Sequence, residues 1–316
     1  MVSQRELFGG AAIKVTPDMS VDDMLERAGL DWGVGKSEMF YGPNRDLKAP
    51  VFSAHRLTDD AFIDVYKDRV AWQNRDILDV FCSFCAEAGL EIDHIGFLPE
   101  QWKLFATAKL GEFAPPQAVN DITQGWLLLT DSHKRGTGLT GSLFLNRLVC
   151  TNGLRRGLKA ESKKVISHTG IFDRNKVRPV LDAAWTAFQK EQEQVEMLAN
   201  QPMTYQEAQM LLIKEFGYAN KSWDDQPRCV KTCLRLFDGQ AKGADSLAFY
   251  NTAYGLLQAV VEHENYGGMQ RGTPVDRFAS VLSGRHGRTI DVFNKGLNTF
   301  IKNRTLDIQP VGIRGF

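Results

Sequence analysis

The sequence predicts an α+β fold, a mostly antiparallel sheet around one core helix followed by a helical C-terminal half. Three observations lead there. Strand-like segments with Gly, Pro, Asn and Asp punctuation crowd residues 30–150, one amphipathic helical pattern at 74–88 sits among them, and from Arg174 onward the apolar spacing changes from two to 3.6.

The elements follow in order. A short helix is expected from Val21 to Ala28, closed by Gly29. Residues 30–41 and 49–56 read as a hairpin, with Gly42-Pro43-Asn44 supplying turn chemistry, and Phe62, Val65 and Val70 suggest a third strand. Asn74 is expected to cap a helix to Ala88, with Asp76 and Asp79 in its first turn, Gly89 at its end, and Ile77, Phe81, Phe84 and Ala88 on its buried face. Four more strands are expected at 90–98, 102–110, 124–131 and 139–150. In the last of these Arg147 falls in phase with Leu143, Leu145 and Val149, which aims a cation at the core. Leu181, Ala184, Trp185 and Phe188 then mark a helix, whose continuation Glu191-Gln192-Glu193-Gln194 has no apolar face and is expected to meet solvent or a neighbour. Thr204 and Glu207 form a capping box for a helix over 205–216, and further helices are expected at 228–236, 246–263, 275–282 and 289–303. This order divides the chain into a sheet domain, 1–170, and a helical domain, 171–316.

Hydrophobic content of 43% and charged content of 24% are ordinary globular values. No apolar run is long enough for a membrane span and residues 1–6 lack a signal-peptide core, so a cytoplasmic protein with no membrane partner is expected. Five cysteines fit a reducing compartment. Cys82/Cys85 and Cys229/Cys233 have spacings that four-thiolate zinc sites use, but both pairs lie in helical patterns without a turn between them, so small buried thiols are the expectation. Cys150 lies near His133 and His168 in sequence, and a buried strand-end cysteine explains it as well as a nucleophile does. Phosphate-loop, dinucleotide, metalloprotease and nucleophile-elbow motifs do not occur, so no enzyme activity and no cofactor or metal are expected.

Charge, by contrast, is strongly segregated. The chain as a whole is neutral, yet residues 133–178 hold eleven Lys or Arg against Glu161 and Asp173, a local balance of +9, between acidic flanks. The band is interleaved with hydroxyls and amides suited to phosphate, and Trp126 and Phe144 offer either stacking surfaces or core. The expected partner is single-stranded DNA. Lys134, Arg135, Arg147, Arg155, Arg156, Lys159, Lys163 and Lys164 are the expected phosphate ligands, with Asn152 and His168 shaping the groove. A homo-oligomer is expected as well. The alternative reading is a protein that contacts a host protein through its acidic N-terminal half, with the basic band serving oligomer pairing.

Several stretches carry a resemblance: Leu30-Asp31-Trp32, Gln73-Asn74-Arg75, Leu129-Thr130-Asp131-Ser132-His133, Arg147 to Asn152, His168-Thr169-Gly170 and Ala259-Val260-Val261-Glu262-His263. In their order and spacing the chain resembles the phage/plasmid-like family of unknown function numbered nine hundred thirty-two. The resemblance implies an origin in a mobile element and assigns no activity. Strands around one helix at the start are similar in outline to single-strand annealing recombinases, ring-forming proteins that hold one DNA strand along a basic groove, and this implies annealing in replication or recombination.

Overall fold

The computed structural model of the 316-residue chain describes residues 8, 10–116, 121–148, 154–157, 164–241, 244–267, 273, 275–276, 278–279 and 285–307. It is α+β, with antiparallel sheets first and a helical C-terminal half.

The hairpin comes as expected, as β2 (Val34–Tyr41) and β3 (Leu47–Arg56), and β4 (Phe62–Tyr66) completes a three-stranded antiparallel sheet. Pro50 is tolerated inside β3 because it falls where the β2–β3 register shifts, between the pairs Phe40/Lys48 and Glu38/Phe52. Among the described residues the larger sheet has seven strands. β5 (Glu91–Leu98), β6 (Lys103–Phe113), β7 (Thr123–Ser132) and β8 (Leu139–Arg147) lie side by side in chain order, with β1 (Ala12–Lys14) outside β5. β9 (Leu154–Gly157) and β10 (Lys164–Ile166) both pair with the outer edge of β8, one beyond the other: β10 faces Leu139–Gly141 and β9 faces Phe144–Arg147.

A short helix α1 (Val21–Arg27) starts on a capping box between Ser20 and Asp23. Helix α2 (Asn74–Ala88) ends at Gly89 in the left-handed conformation. Asn74 is not its cap, contrary to expectation. The cap is Gln73, whose amide instead holds the backbone N–H and C=O of Val34, while the Asn74 side chain is used elsewhere.

Helix α3 (Arg174–Ala199) crosses the sheet and continues past it. Its first half adds Val177, Leu181, Ala184 and Phe188 to the core formed by α2 and one face of the sheet, and its second half adds Val195 and Leu198 to a helical core. The polar run 191–194 is therefore not free in solvent: Glu191 is buried and Gln194 Nε2 donates to Asn294 Oδ1 at 2.8 Å. The helical core is completed by α4 (Tyr205–Phe216), which begins on the expected Thr204/Glu207 box, by α5 (Arg228–Arg235), α6 (Ala253–Glu262) and α7 (Arg285–Asp307). Helix α6 starts later than its apolar pattern suggested because Thr252 accepts from Gly255 N and fixes the N-terminus there. The opposite face of the sheet, Leu98, Phe105, Trp126, Leu128 and Phe144, is covered by Phe8 and Phe278, so Trp126 and Phe144 are core residues. Among the described residues no helix is long and apolar enough to cross a membrane.

Candidate functional site

Three cations of the basic band lie on one edge of the large sheet. Arg155 and Arg156 lie on β9, opposite Asn146 and Leu145, and Lys164 lies on β10, opposite Gly141; for these three the structure describes the backbone. Asn152, Lys159 and Lys163 lie outside the described residues, as does Cys150. Lys134 and Arg135 sit in the turn between β7 and β8. Lys134 is half-buried and its Nζ donates to Glu100 O at 2.7 Å; Arg135 is exposed, with Nε 3.2 Å from Asp64 Oδ1 and its backbone N–H on Asp64 Oδ2. At the far end, Arg174 lies 3.8 Å from Asp79, Lys176 lies 4.0 Å from Asp173, and Arg178 pairs with Glu87. These exposed pairs are weak, roughly 0–1 kcal/mol each, and leave the cations able to exchange partners.

Two of the expected ligands are buried. Arg147 is only 2% exposed, and it meets the equally buried Asp121 through two hydrogen bonds, Nε to Oδ1 at 2.5 Å and Nη2 to Oδ2 at 2.7 Å. Its guanidinium carbon lies 5.4 Å from the Tyr254 ring centroid and 5.8 Å from that of Phe249. Strand alternation had aimed Arg147 at the core, and a buried carboxylate resolves the conflict: the residue ties β8 to the helical core and is unable to reach a phosphate. A cavity of about 20 Å³ beside it, lined among others by Thr123, Glu191 and Gln258, is large enough for about one water molecule.

His168 is the second. It is buried, its Nε2 donates to Asp131 Oδ1 at 2.6 Å, and its ring stacks on Trp72 with centroids 4.0 Å apart. Asp131 is in phase with Leu127 and Leu129, so a charged group is aimed at the core there too and demands a partner. Next to it His133 Nε2 lies 2.8 Å from Asn74 Oδ1. Asn74 Nδ2 donates to both Leu30 O and Trp32 O, which leaves its Oδ1 as acceptor and fixes the hydrogen on His133 Nε2. Burial holds His133 down at about 4, so it is neutral. The Tyr66 hydroxyl, pushed up to about 12 by burial, donates to His133 O at 2.6 Å, and Arg69 donates to Thr137 O at 2.6 Å and to Ser132 O. Among the described residues Arg69 Nε, Asp131 Oδ2, His133 Nδ1 and His168 Nδ1 have no hydrogen-bond partner. Arg69, Tyr66, Trp72, Asn74, Asp121 and Asp131 were not read as site residues from the sequence; for Asp131 the signal that could have found it is its strand phase with Leu127 and Leu129.

The cysteine pairs occupy separate cores, Cys85 with the sheet and Cys233 with the helices. Burial raises the Cys82 and Cys85 thiols to about 11 and about 12, which disfavours the thiolate. Among the described residues no three His, Cys, Asp or Glu side chains are grouped to hold a metal ion.

Stretches that are far apart in sequence thus meet at two buried points. Residues 30–32, 73–74, 131–133 and 168–170 close on the His133 network, where Trp32 lies edge-on to His133 and Trp72 Nε1 donates to Gly170 O. Arg147 and the α6 residues Gln258 and Val261 meet at the second. The profile of one family, described as a domain of unknown function (DUF932), matches residues 65–282, more than half of the chain. The chain belongs to the DUF932 family. No curated protein and no solved structure matches it. Apart from Leu30-Asp31-Trp32, the stretches that carried the resemblance all lie within the matched DUF932 residues.

Proposed function

We propose that this DUF932 protein binds single-stranded nucleic acid along the outer edge of β8, without covalent catalysis, and that in a phage or plasmid setting this binding serves strand annealing in replication or recombination. One observation carries the reading: in a neutral chain, the +9 segment 133–178 contains the two strands, β9 and β10, that line one edge of the sheet. Burial of Arg147 and His168 revises the ligand set. Lys134, Arg135, Arg155, Arg156, Lys159, Lys163 and Lys164 remain as phosphate ligands, with Asn152 beside them, while Arg147 and His168, buried against Asp121 and Asp131, drop out of the set.

Oligonucleotide binding measured over a salt series tests this. With about six phosphates engaged, log K falls against log salt with a slope near −4 on single strands, and Arg155→Glu/Arg156→Glu reduces that slope by about 1.4. A flat salt dependence, or no binding at about 50 mM salt, overturns the proposal.

A further inference from the structure

The smaller sheet ends in an open strand. β2 is hydrogen-bonded to β3 on one side, and among the described residues no strand pairs with its other side. The phase of its backbone is given by three contacts. Gly33 O accepts from Leu57 N and Ser37 O accepts from the Ser53 hydroxyl, so odd positions face β3; the N–H and C=O of Val34 are held by the Gln73 amide, so even positions face outward. Lys36 and Glu38 therefore present their backbone groups to the open edge, and both side chains are exposed, Lys36 donating to Arg69 O and Glu38 meeting Lys48 in contacts weak enough to exchange for a partner.

That edge is complementary to itself. When two antiparallel copies of β2 are centred on Ser37, position 36 of one falls opposite position 38 of the other. Both are outward positions, so each such pair exchanges two hydrogen bonds, four in all, and Lys36 faces Glu38 twice. Directly opposed residues share a face of the sheet, so each exposed Phe40 ring is brought opposite Val34 of the second copy. The Gln73 amide on Val34 terminates the ladder at each end, which limits it to residues 36–38. A one-residue slip would oppose inward to outward backbone groups, and a two-residue slip would place like charges face to face. Tyr41 and Leu47, paired across β2 and β3, are exposed on the same small sheet as well.

We propose that two copies of this chain associate through isologous antiparallel pairing of β2 about Ser37, forming one six-stranded sheet. The proposal is independent of nucleic-acid binding.

Cross-linking of the full chain reads the register directly. At the centre of the dyad position 37 is a non-hydrogen-bonded pair, with Cα atoms roughly 4.5 Å apart and within disulfide reach, so Ser37→Cys forms a covalent dimer under mild oxidation. Lys36→Cys, whose opposite number is residue 38, does not, and neither does the wild-type chain. In sedimentation velocity, Lys36→Glu weakens the dimer at least about tenfold by opposing two carboxylates, and Lys36→Glu/Glu38→Lys restores it. Circular dichroism of each variant confirms that the exposed positions leave the fold intact. A wild-type chain that stays monomeric at about 100 µM, equal cross-linking at 36 and 37, or failure of the charge swap to restore association overturns the proposal.

Discussion

Asn74 joins three parts of the chain through one amide: its Nδ2 donates to Leu30 O at 3.0 Å and to Trp32 O at 3.1 Å, and its Oδ1 accepts from His133 Nε2 at 2.8 Å. Every polar atom of that side chain is committed, and the residue is buried. Asn74→Asp keeps the shape but turns a carboxylate oxygen toward two carbonyls. It should destabilise the fold by about 2–4 kcal/mol, against about 1–3 for Asn74→Leu, which only leaves partners unsatisfied. Urea denaturation separates the two; equal losses would mean that the amide orientation is not what holds the 30–32 segment.

Acid should act on the fold in two stages. His133 is held neutral by burial, at about 4 in the folded chain against the ordinary value of 6.5. The unfolded chain takes up this proton first, so stability is complete above about 6.5, falls as pH drops toward about 4, and loses about 3 kcal/mol in that window. Asp93 behaves separately. Burial pushes its carboxyl up, but hydrogen bonds from His94 and Lys14 outweigh this and hold it well below the usual carboxylate range, so its contribution is lost only below about 4. A His133→Gln variant, which keeps a donor toward Asn74, should lose clearly less stability between pH 7 and 5 than the wild type, the remaining decline coming from His263, which burial also holds below its ordinary value. The same decline in both would assign it to another group.

Replacing Arg147 should act on the fold and leave nucleic-acid recognition alone. Its pair with Asp121 is buried on both sides, and removing one partner strands the other charge, at a cost of about 3–5 kcal/mol for Arg147→Ala. The double replacement Arg147→Met/Asp121→Leu should recover most of that loss. Under conditions where it is folded, the double variant should keep the wild-type salt slope on oligonucleotides, whereas Arg155→Glu/Arg156→Glu lowers the slope with little change in melting temperature. A lowered slope in the double variant would put Arg147 back among the phosphate ligands.

What the sequence made legible was whatever depends on neighbours in the chain. Strand-like runs bounded by Pro, Gly and Asp located β5 to β8, the Thr204/Glu207 box located α4, and strand phase showed that Arg147 points inward. The readings that failed depend on distant partners. Asn74 satisfies the local rule for a cap as well as Gln73 does, and only the loop at 30–32 and His133 decide between them. Whether Glu191 meets solvent or a neighbour stayed open in the sequence because its cover comes from helices far along the chain. Counting cations gave the band's charge but not which cations are already paired, since Arg135 meets Asp64, 71 residues away, and Arg178 meets Glu87, 91 residues away.

The crossing of α3 over the sheet depends on two glycines, and they should respond differently to the same substitution. A methyl at Gly141 would lie 2.8 Å from a Val180 methyl and 2.9 Å from the Val180 carbonyl oxygen, so the obstacle includes helix backbone. A methyl at Gly125 would run into the Phe188 ring, a side chain able to turn or be shortened. Gly141→Ala should therefore cost about 2–3 kcal/mol and Gly125→Ala about 1–2 kcal/mol. Second substitutions distinguish the causes: Phe188→Leu should restore much of the loss in Gly125→Ala, whereas Val180→Ala should restore little in Gly141→Ala, because the carbonyl stays where it is. Denaturation midpoints of the four variants decide it. Full recovery of Gly141→Ala by Val180→Ala would show that the valine methyl, and not the backbone of α3, sets how closely the helix approaches β8.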